Sequence, residues 1–157
     1  MTEQLTLREA IPDDASNLIA FLKKVADESE FIEFESSLRF LTVEEEKIEL
    51  DRIYNSTQDN IFLAIFEGDI VGFARVAHAD DKSSEFGVVV TEEFSGNNIA
   101  SYLTEDAINW STDSKDINEL TLEVYRDNSV AIHIYEKYGF SVESETEETI
   151  FMKRLVK

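Results

Sequence analysis

The sequence contains no cysteine among its 157 residues. This absence excludes disulfides, thiolate metal sites and a covalent cysteine nucleophile at once. Histidine is almost as scarce, because His78 and His133 are the only two, and they do not lie at a spacing typical of metal ligands. We therefore expect a protein that holds no metal.

Cationic side chains are also few, since 14 Lys and Arg stand against 34 Asp and Glu for a net charge of −20. Nucleic-acid binding depends on neutralising phosphates with Lys and Arg, so a nucleic-acid partner is not expected. The charge favours a cationic partner, although acidity that serves only solubility explains it as well.

Long hydrophobic runs are missing too. No window approaches the roughly 18 apolar residues of a membrane span, and "MTEQLTLREA" lacks the apolar core of a signal peptide. These features predict a cytoplasmic protein with no membrane partner. The length and the 43% hydrophobic content predict one folded domain over residues 1–157.

The first half of the chain predicts one strand and two helices. "LTLREA" alternates like a strand, and the only proline, Pro12, marks the start of a helix. A capping box, Thr42 with Glu45, opens the second helix, whose apolar side we assign to Ile48, Leu50 and Ile53. The apolar stripe of the first helix is assigned to Leu18, Phe21, Leu22 and Val25.

The second half alternates strands with helices. "NIFLAIFEGDIVGFARVAHA" predicts a hairpin with Gly68 in its turn, and "SSEFGVVV", "ELTLEV" and "TIFMKRLV" predict further strands. Helices are predicted at "NIASYLTEDAINWS" and "SVAIHIYEKYG". The predicted order is one strand, two helices, three strands, a helix, a strand, a helix and a final pair of strands, which is typical of an α/β fold with a mixed sheet.

Three of these segments carry a family resemblance: "EGDIVGFARV", "SSEFGVVVTEEFSGNNIASYL" and "LTLEVYRDNSVAIHIYEKYGFSVES". Together they resemble the GNAT family of acyl-CoA-dependent N-acyltransferases. The resemblance implies the GNAT fold, a mixed and mostly antiparallel central sheet of six to seven strands flanked by about four helices. The last segment resembles the family most closely, through Asn128, Ala131, Tyr135, Tyr138, Gly139 and Phe140.

The resemblance also implies a site for acetyl-CoA as co-substrate, in a gap between the fourth and fifth strands. A bulge at Gly87 would splay the fourth strand there, although a glycine that only lets an aromatic side chain pack above it explains the same residue. The phosphate loop departs from the family, with Ser95 in place of Arg or Gln and Asn98 in place of a glycine. Such a loop works through main-chain N–H groups, and Asn98 is expected to cap the helix that follows. The implied cofactor contacts are Val88, Val90, Ser95, Gly96, Asn97, Asn98, Ile99, Ala100 and Asn128, the last also a candidate helix cap.

For catalysis, the resemblance implies direct attack by a primary amine on the thioester in a ternary complex. Tyr135 is the candidate general acid, although an aromatic at this helical spacing is often simply part of the core. Glu85 is the candidate base, acting through water, although it would also suit an exposed strand position.

The resemblance places one wall of the acceptor site between the first two helices, at Phe31, Glu33, Phe34 and Glu35. Carboxylates among aromatics suit a cationic small-molecule or peptide amine, whereas a solvated loop explains the same residues without a substrate. Ser95 and Asn98 motivate an alternative function, a catalytically impaired module that binds acyl-CoA or another protein. A homodimer through strand edges stays open.

Overall fold

A computed structural model describes residues 5–28 and 42–157. Within these residues seven strands form one sheet in the order β1-β2-β3-β4-β5-β7-β6. Every neighbouring pair is antiparallel except β4 and β5, which run parallel. The strands are β1 Leu5–Glu9, β2 Asn60–Phe66, β3 Asp69–Asp80, β4 Ser83–Val90, β5 Glu119–Tyr125, β6 Ser141–Glu145 and β7 Thr149–Leu155. The predicted fold is confirmed.

Four helices flank this sheet in the described part of the chain. They are α1 Ala15–Glu28, α2 Val43–Tyr54, α3 Ile99–Asp113 and α4 Ser129–Lys137. The capping box of α2 is confirmed, because the Glu45 N–H donates to the Thr42 hydroxyl and the Thr42 N–H donates to the Glu45 carboxylate, both at 3.1 Å. Asn128 caps α4 as predicted, its side-chain oxygen accepting from the Ala131 N–H at 3.2 Å.

The apolar side of α2 differs from the prediction at one position. Leu50 and Ile53 are buried, but Ile48 is 73% exposed and Glu46 occupies the buried face in its place at 1% exposure. Glu46 lies one helical turn before Leu50, so it shares that residue's face of the helix. Ile48 lies two positions from both Glu46 and Leu50, so it points to the other side of the helix, toward solvent.

Two apolar clusters fill the two faces of the sheet. Helix α1, with its predicted stripe of Leu18, Phe21, Leu22 and Val25, packs with α2 on one face. The other face holds α3 and α4. We call these the α1/α2 face and the α3/α4 face.

Gly72 on β3 brings α3 close to the sheet. A β-carbon at this position would lie 2.9 Å from Leu103 Cδ1 and 3.0 Å from Ile99 Cγ2. Any larger residue would therefore require the Leu103 and Ile99 side chains of α3 to shift. Because Gly72 pairs with Val90 at the end of β4, this contact fixes the α3 N-terminus next to the point where β4 ends.

No helix in residues 5–28 and 42–157 combines the length and apolar character needed to cross a membrane.

Candidate active site

Strands β4 and β5 separate part-way along their length. Their parallel pairing covers three residue pairs, from Ser83 with Glu119 to Glu85 with Thr121. Beyond Glu85, β4 continues to Val90 paired with β3, and β5 continues to Tyr125 paired with β7. The predicted gap is confirmed, but the predicted bulge at Gly87 is wrong, because the β3–β4 register passes Gly87 without irregularity.

The gap exposes main-chain groups of β4. The Thr91 N–H donates to the Val71 carbonyl at 3.0 Å, directly beyond the Gly72–Val90 pair. Residues of an antiparallel strand alternate in the direction of their main-chain hydrogen bonds. The N–H and C=O groups of Val88 and Val90 consequently point away from β3 and into the gap.

The gap opens into a cleft of about 880 Å³ that runs from the sheet to the start of α3. Its walls come from β4, β5, the loop before α3, and α4. The structure thus brings most predicted catalytic and cofactor residues to one cavity; Asn97 is not part of its lining. The predicted residues in the lining are Glu85, Val88, Val90, Ser95, Gly96, Asn98, Ile99, Ala100, Asn128 and Tyr135.

The loop before α3 presents main chain to this cleft. Gly96 and Asn98 adopt positive φ angles of 84° and 63°, a conformation that glycine and asparagine tolerate best. The Ser95 hydroxyl donates to the Glu92 carbonyl at 2.8 Å and the Asn97 amide to the Phe94 carbonyl at 3.3 Å. Both side chains therefore bind their own loop.

The predicted capping role of Asn98 is wrong. Asn98 stands at the N-cap position of α3, but its side chain makes no capping hydrogen bond. A capping residue normally has extended backbone, whereas Asn98 is left-handed. The first N–H groups of α3 are left without a side-chain cap beside the cleft, and the positive end of the helix dipole lies there as well.

Tyr135 borders the cleft from within the α3/α4 face. Its side chain is only 5% exposed and makes edge-on contacts with Phe86 and Phe140, at ring-centroid distances of 6.1 and 5.8 Å. Burial raises the pKa of its phenol, which is protonated at neutral pH even without that shift. Tyr135 is thus a core aromatic, as the second of the two alternatives drawn from the sequence has it, and it also lines the cleft.

Two carboxylates lie on opposite sides of the gap. Glu85 is an exposed residue of β4, and Glu123 is an exposed residue of β5 that continues the register opposite Gly87. Both side chains line the cleft. Glu123, like Thr121 and Tyr125, alternates with the buried residues of β5, so both carboxylates belong to the α1/α2 face.

The family assignment rests on sequence and fold together. The model of the acetyltransferase (GNAT) family matches residues 21–140. The chain belongs to this family. The resemblance inferred from the sequence is therefore confirmed over most of the chain.

Known GNAT proteins resemble the chain in sequence and in structure. Spermidine N(1)-acetyltransferase of Escherichia coli K12 is 26% identical over 104 residues, which are 65% of this chain and 56% of that protein. An acetyltransferase of the GNAT family from Streptococcus pneumoniae is 29% identical, with a TM-score of 0.90 over 97% of this chain and 99% of that one. The PaiA N-acetyltransferase of Thermoplasma acidophilum, in complex with coenzyme A, superposes with a TM-score of 0.78 at 22% identity, over 97% and 99% of the two chains. The matched region spans a little over half of the curated spermidine relative.

Some residues of the GNAT cleft were not predicted from the sequence. Glu123, His133 and Lys137 all line it. The alternation along β5 was a usable signal for Glu123, but only with the pairing of β4 and β5 known. The predicted acceptor residues Phe31, Glu33, Phe34 and Glu35 lie outside the described residues.

Proposed function

We propose that the protein is an N-acetyltransferase that uses acetyl-CoA and a primary amine in direct transfer. The observation that carries the proposal is the separation of β4 and β5 beside the uncapped start of α3. A pantetheine arm contains amides that pair with main-chain groups, and Val88 and Val90 offer such groups to the gap. The pyrophosphate has a matching site at the N–H groups of the α3 N-terminus.

The chain's own residues supply the proton transfers. The amine nitrogen forms a C–N bond with the thioester carbonyl carbon while the C–S bond breaks. Glu85, through a water molecule, accepts the proton that the amine must lose, and Tyr135 donates its phenolic proton to the departing sulfur. The phenol of Tyr135 carries this proton at neutral pH, because even its ordinary pKa lies well above 7.

The cofactor part of the proposal is tested by thermal melting with and without acetyl-CoA at matched ionic strength. Ligand at about 100 times its dissociation constant stabilises a protein by ~2.7 kcal/mol, a rise in Tm of roughly 5–10 °C for a chain of this size. Acetate at the same concentration is the control and should not raise Tm. An unchanged Tm at millimolar acetyl-CoA would contradict the proposal.

The two carboxylates indicate a cationic acceptor. Glu85 and Glu123 flank the place where the amine must approach the thioester, and an acceptor with a second positive charge gains from both. The spermidine acetyltransferase relative is named for such a substrate. We propose an acceptor with at least two amino groups, and release of free thiol with a panel of amines identifies it.

Glu123→Gln tests the acceptor class. The variant keeps the size of the side chain but loses its charge, so we expect KM for a di- or triamine to rise about 5-fold, as for a solvent-exposed charge pair. KM for a neutral monoamine should stay within about 2-fold. If KM changed equally for both acceptors, Glu123 would not recognise the charge of the acceptor.

A further inference from the structure

The cleft lining holds little positive charge for a ligand as anionic as coenzyme A, which carries a pyrophosphate and a 3′-phosphate. Among the described residues that line the cleft, Lys137 is the only Lys or Arg, whereas two residues, Glu85 and Glu123, are acidic. Ser95 stands where the family carries an Arg or Gln and contributes no charge. The net charge of −20 adds general repulsion.

The ammonium of Lys137 lies over the ring of Tyr138, a residue that contacts the first turns of α3. Its Nζ is 5.6 Å from the centroid of the Tyr138 ring. The Tyr138 hydroxyl donates to Glu105 Oε2 of α3 at 3.4 Å, and Ser101 in the first turn also interacts with the phenol. Tyr138 therefore bridges from the C-terminal turn of α4 to the N-terminal half of α3, and Lys137 lies over its ring.

Lys137 forms no ion pair with any residue of the described ranges. By contrast, Arg126 and Lys153, on either side of α4 in the sequence, bind Glu145 at 2.9 Å and Glu143 at 3.3 Å. Glu105 is the acidic residue near the Tyr138 ring, and its carboxylate is directed to the phenol. An exposed ammonium without a carboxylate partner is available for an external anion.

We propose that Lys137 binds a phosphate of coenzyme A and supplies the charge that Ser95 lacks. This inference rests on the proposed function, because it requires coenzyme A in the cleft. The N–H groups at the start of α3 hold one part of the phosphates, and the ammonium across the Tyr138 ring holds another. The coenzyme phosphates are thereby bound between α3 and α4.

The test measures dissociation constants for acetyl-CoA and 3′-dephospho-acetyl-CoA with the whole chain and three variants. Lys137→Met should weaken acetyl-CoA binding about 5- to 30-fold, in the range of a charge-assisted contact. Lys137→Arg should retain affinity within about 3-fold. Lys115→Met is the matched control, because it removes the same charge from an exposed turn outside the cleft.

The dephospho ligand identifies the phosphate. A loss on Lys137→Met seen only with the full ligand assigns the ammonium to the 3′-phosphate, and an equal loss with both ligands assigns it to the pyrophosphate; either result supports the proposal. The binding constant of Lys137→Met should also depend less on salt than that of the unsubstituted protein. An affinity loss no greater than that of Lys115→Met would overturn the proposal.

Failure of the proposed function has a different signature. In that case the unsubstituted protein itself would show no binding of either ligand, and the variants would have nothing to lose. Melting curves of the unliganded variants, expected within about 2 °C of the parent, show that the substitutions leave the fold intact.

Discussion

Each face of the sheet buries a side chain that can lose a proton. On the α3/α4 face it is Tyr135, at 5% exposure, and on the α1/α2 face it is Glu46, at 1% exposure. Burial raises the pKa of both groups, that of Glu46 to about 7. A phenol is neutral at pH 7 before any shift, so burial does not change its protonation state. A carboxyl group is normally ionised at pH 7, so burial of Glu46 disfavours the charge state that the group would have in water.

The surroundings of the two groups differ as well. Tyr135 lines the cleft, where the proposed mechanism requires a proton donor. Glu46 does not belong to the cleft lining, and its Oε2 has no hydrogen-bond partner among residues 5–28 and 42–157. The charge of Glu49 raises its pKa further, while Arg75 lowers it. A shifted pKa therefore identifies a functional group only together with its position.

The largest effect is expected where the buried group meets the cleft. Tyr135→Phe removes one oxygen and keeps the ring contacts, so kcat should fall about 10- to 100-fold while the Kd of acetyl-CoA stays within about 2-fold. Steady-state kinetics together with direct binding measure both. Tyr54→Phe, at an exposed position of α2, is the control and should leave kcat unchanged. If kcat of Tyr135→Phe were unchanged, the Tyr135 hydroxyl would have no catalytic role and the side chain would serve only as a core aromatic.

A second test concerns the buried group away from the cleft. The folded-state pKa of Glu46 is raised, so its contribution to stability is fully present below about pH 4.5 and is lost as the pH rises through about 7. Glu46→Gln should therefore raise the free energy of unfolding by ~1–3 kcal/mol at pH 8 and have little effect near pH 4.5. Denaturant unfolding at both pH values measures this difference.

The control for this substitution is Glu44→Gln on the same helix, where the side chain is 82% exposed. It removes a charge without relieving burial, so its effect should be within about 0.5 kcal/mol at both pH values. If Glu46→Gln changed stability equally at pH 4.5 and pH 8, ionisation of Glu46 would not be the cause.

The smallest of the three effects concerns main-chain recognition on the cofactor side. Gly96 has a φ of 84°, so Gly96→Val strains the loop and moves its N–H groups, and the Kd of acetyl-CoA should rise about 10-fold. Gly68→Val places the same strain, at a φ of 86°, in the distant β2–β3 turn. Gly68→Val should lower Tm without changing the Kd of acetyl-CoA. If Gly96→Val and Gly68→Val changed that Kd equally, the loop at Gly96 would not be a cofactor-binding loop.

Local features of the fold were predictable because they depend on near neighbours. The Thr42 and Asn128 caps join residues three apart, and the β2–β3 hairpin joins adjacent strands. The face of α2 was less predictable, since a short helix with Glu44, Glu45 and Glu46 in its first turn gives a weak apolar pattern. Which of these positions is buried depends on where the helix docks on the sheet.

The candidate site divides in the same way. Glu85, Tyr135 and the loop from Ser95 to Ala100 were found because the family resemblance marks contiguous segments. Glu123 and Lys137 were missed, because each joins the cleft only through the placement of β5 and α4 relative to β4. Asn98 was assigned as a cap from its residue type, and its left-handed backbone, not its type, decides that it is none.

By itself, the sequence determined the order of helices and strands, most of their ends and the family, because these depend on periodicity, capping and short motifs that neighbouring residues settle. Tertiary structure alone decided that β4 and β5 pair over three residues and then part, that Tyr135 borders the resulting cleft, and that Glu46 is buried away from it. These outcomes require contacts between residues some 30 or more positions apart in the chain. No local pattern reports the free energy of such contacts.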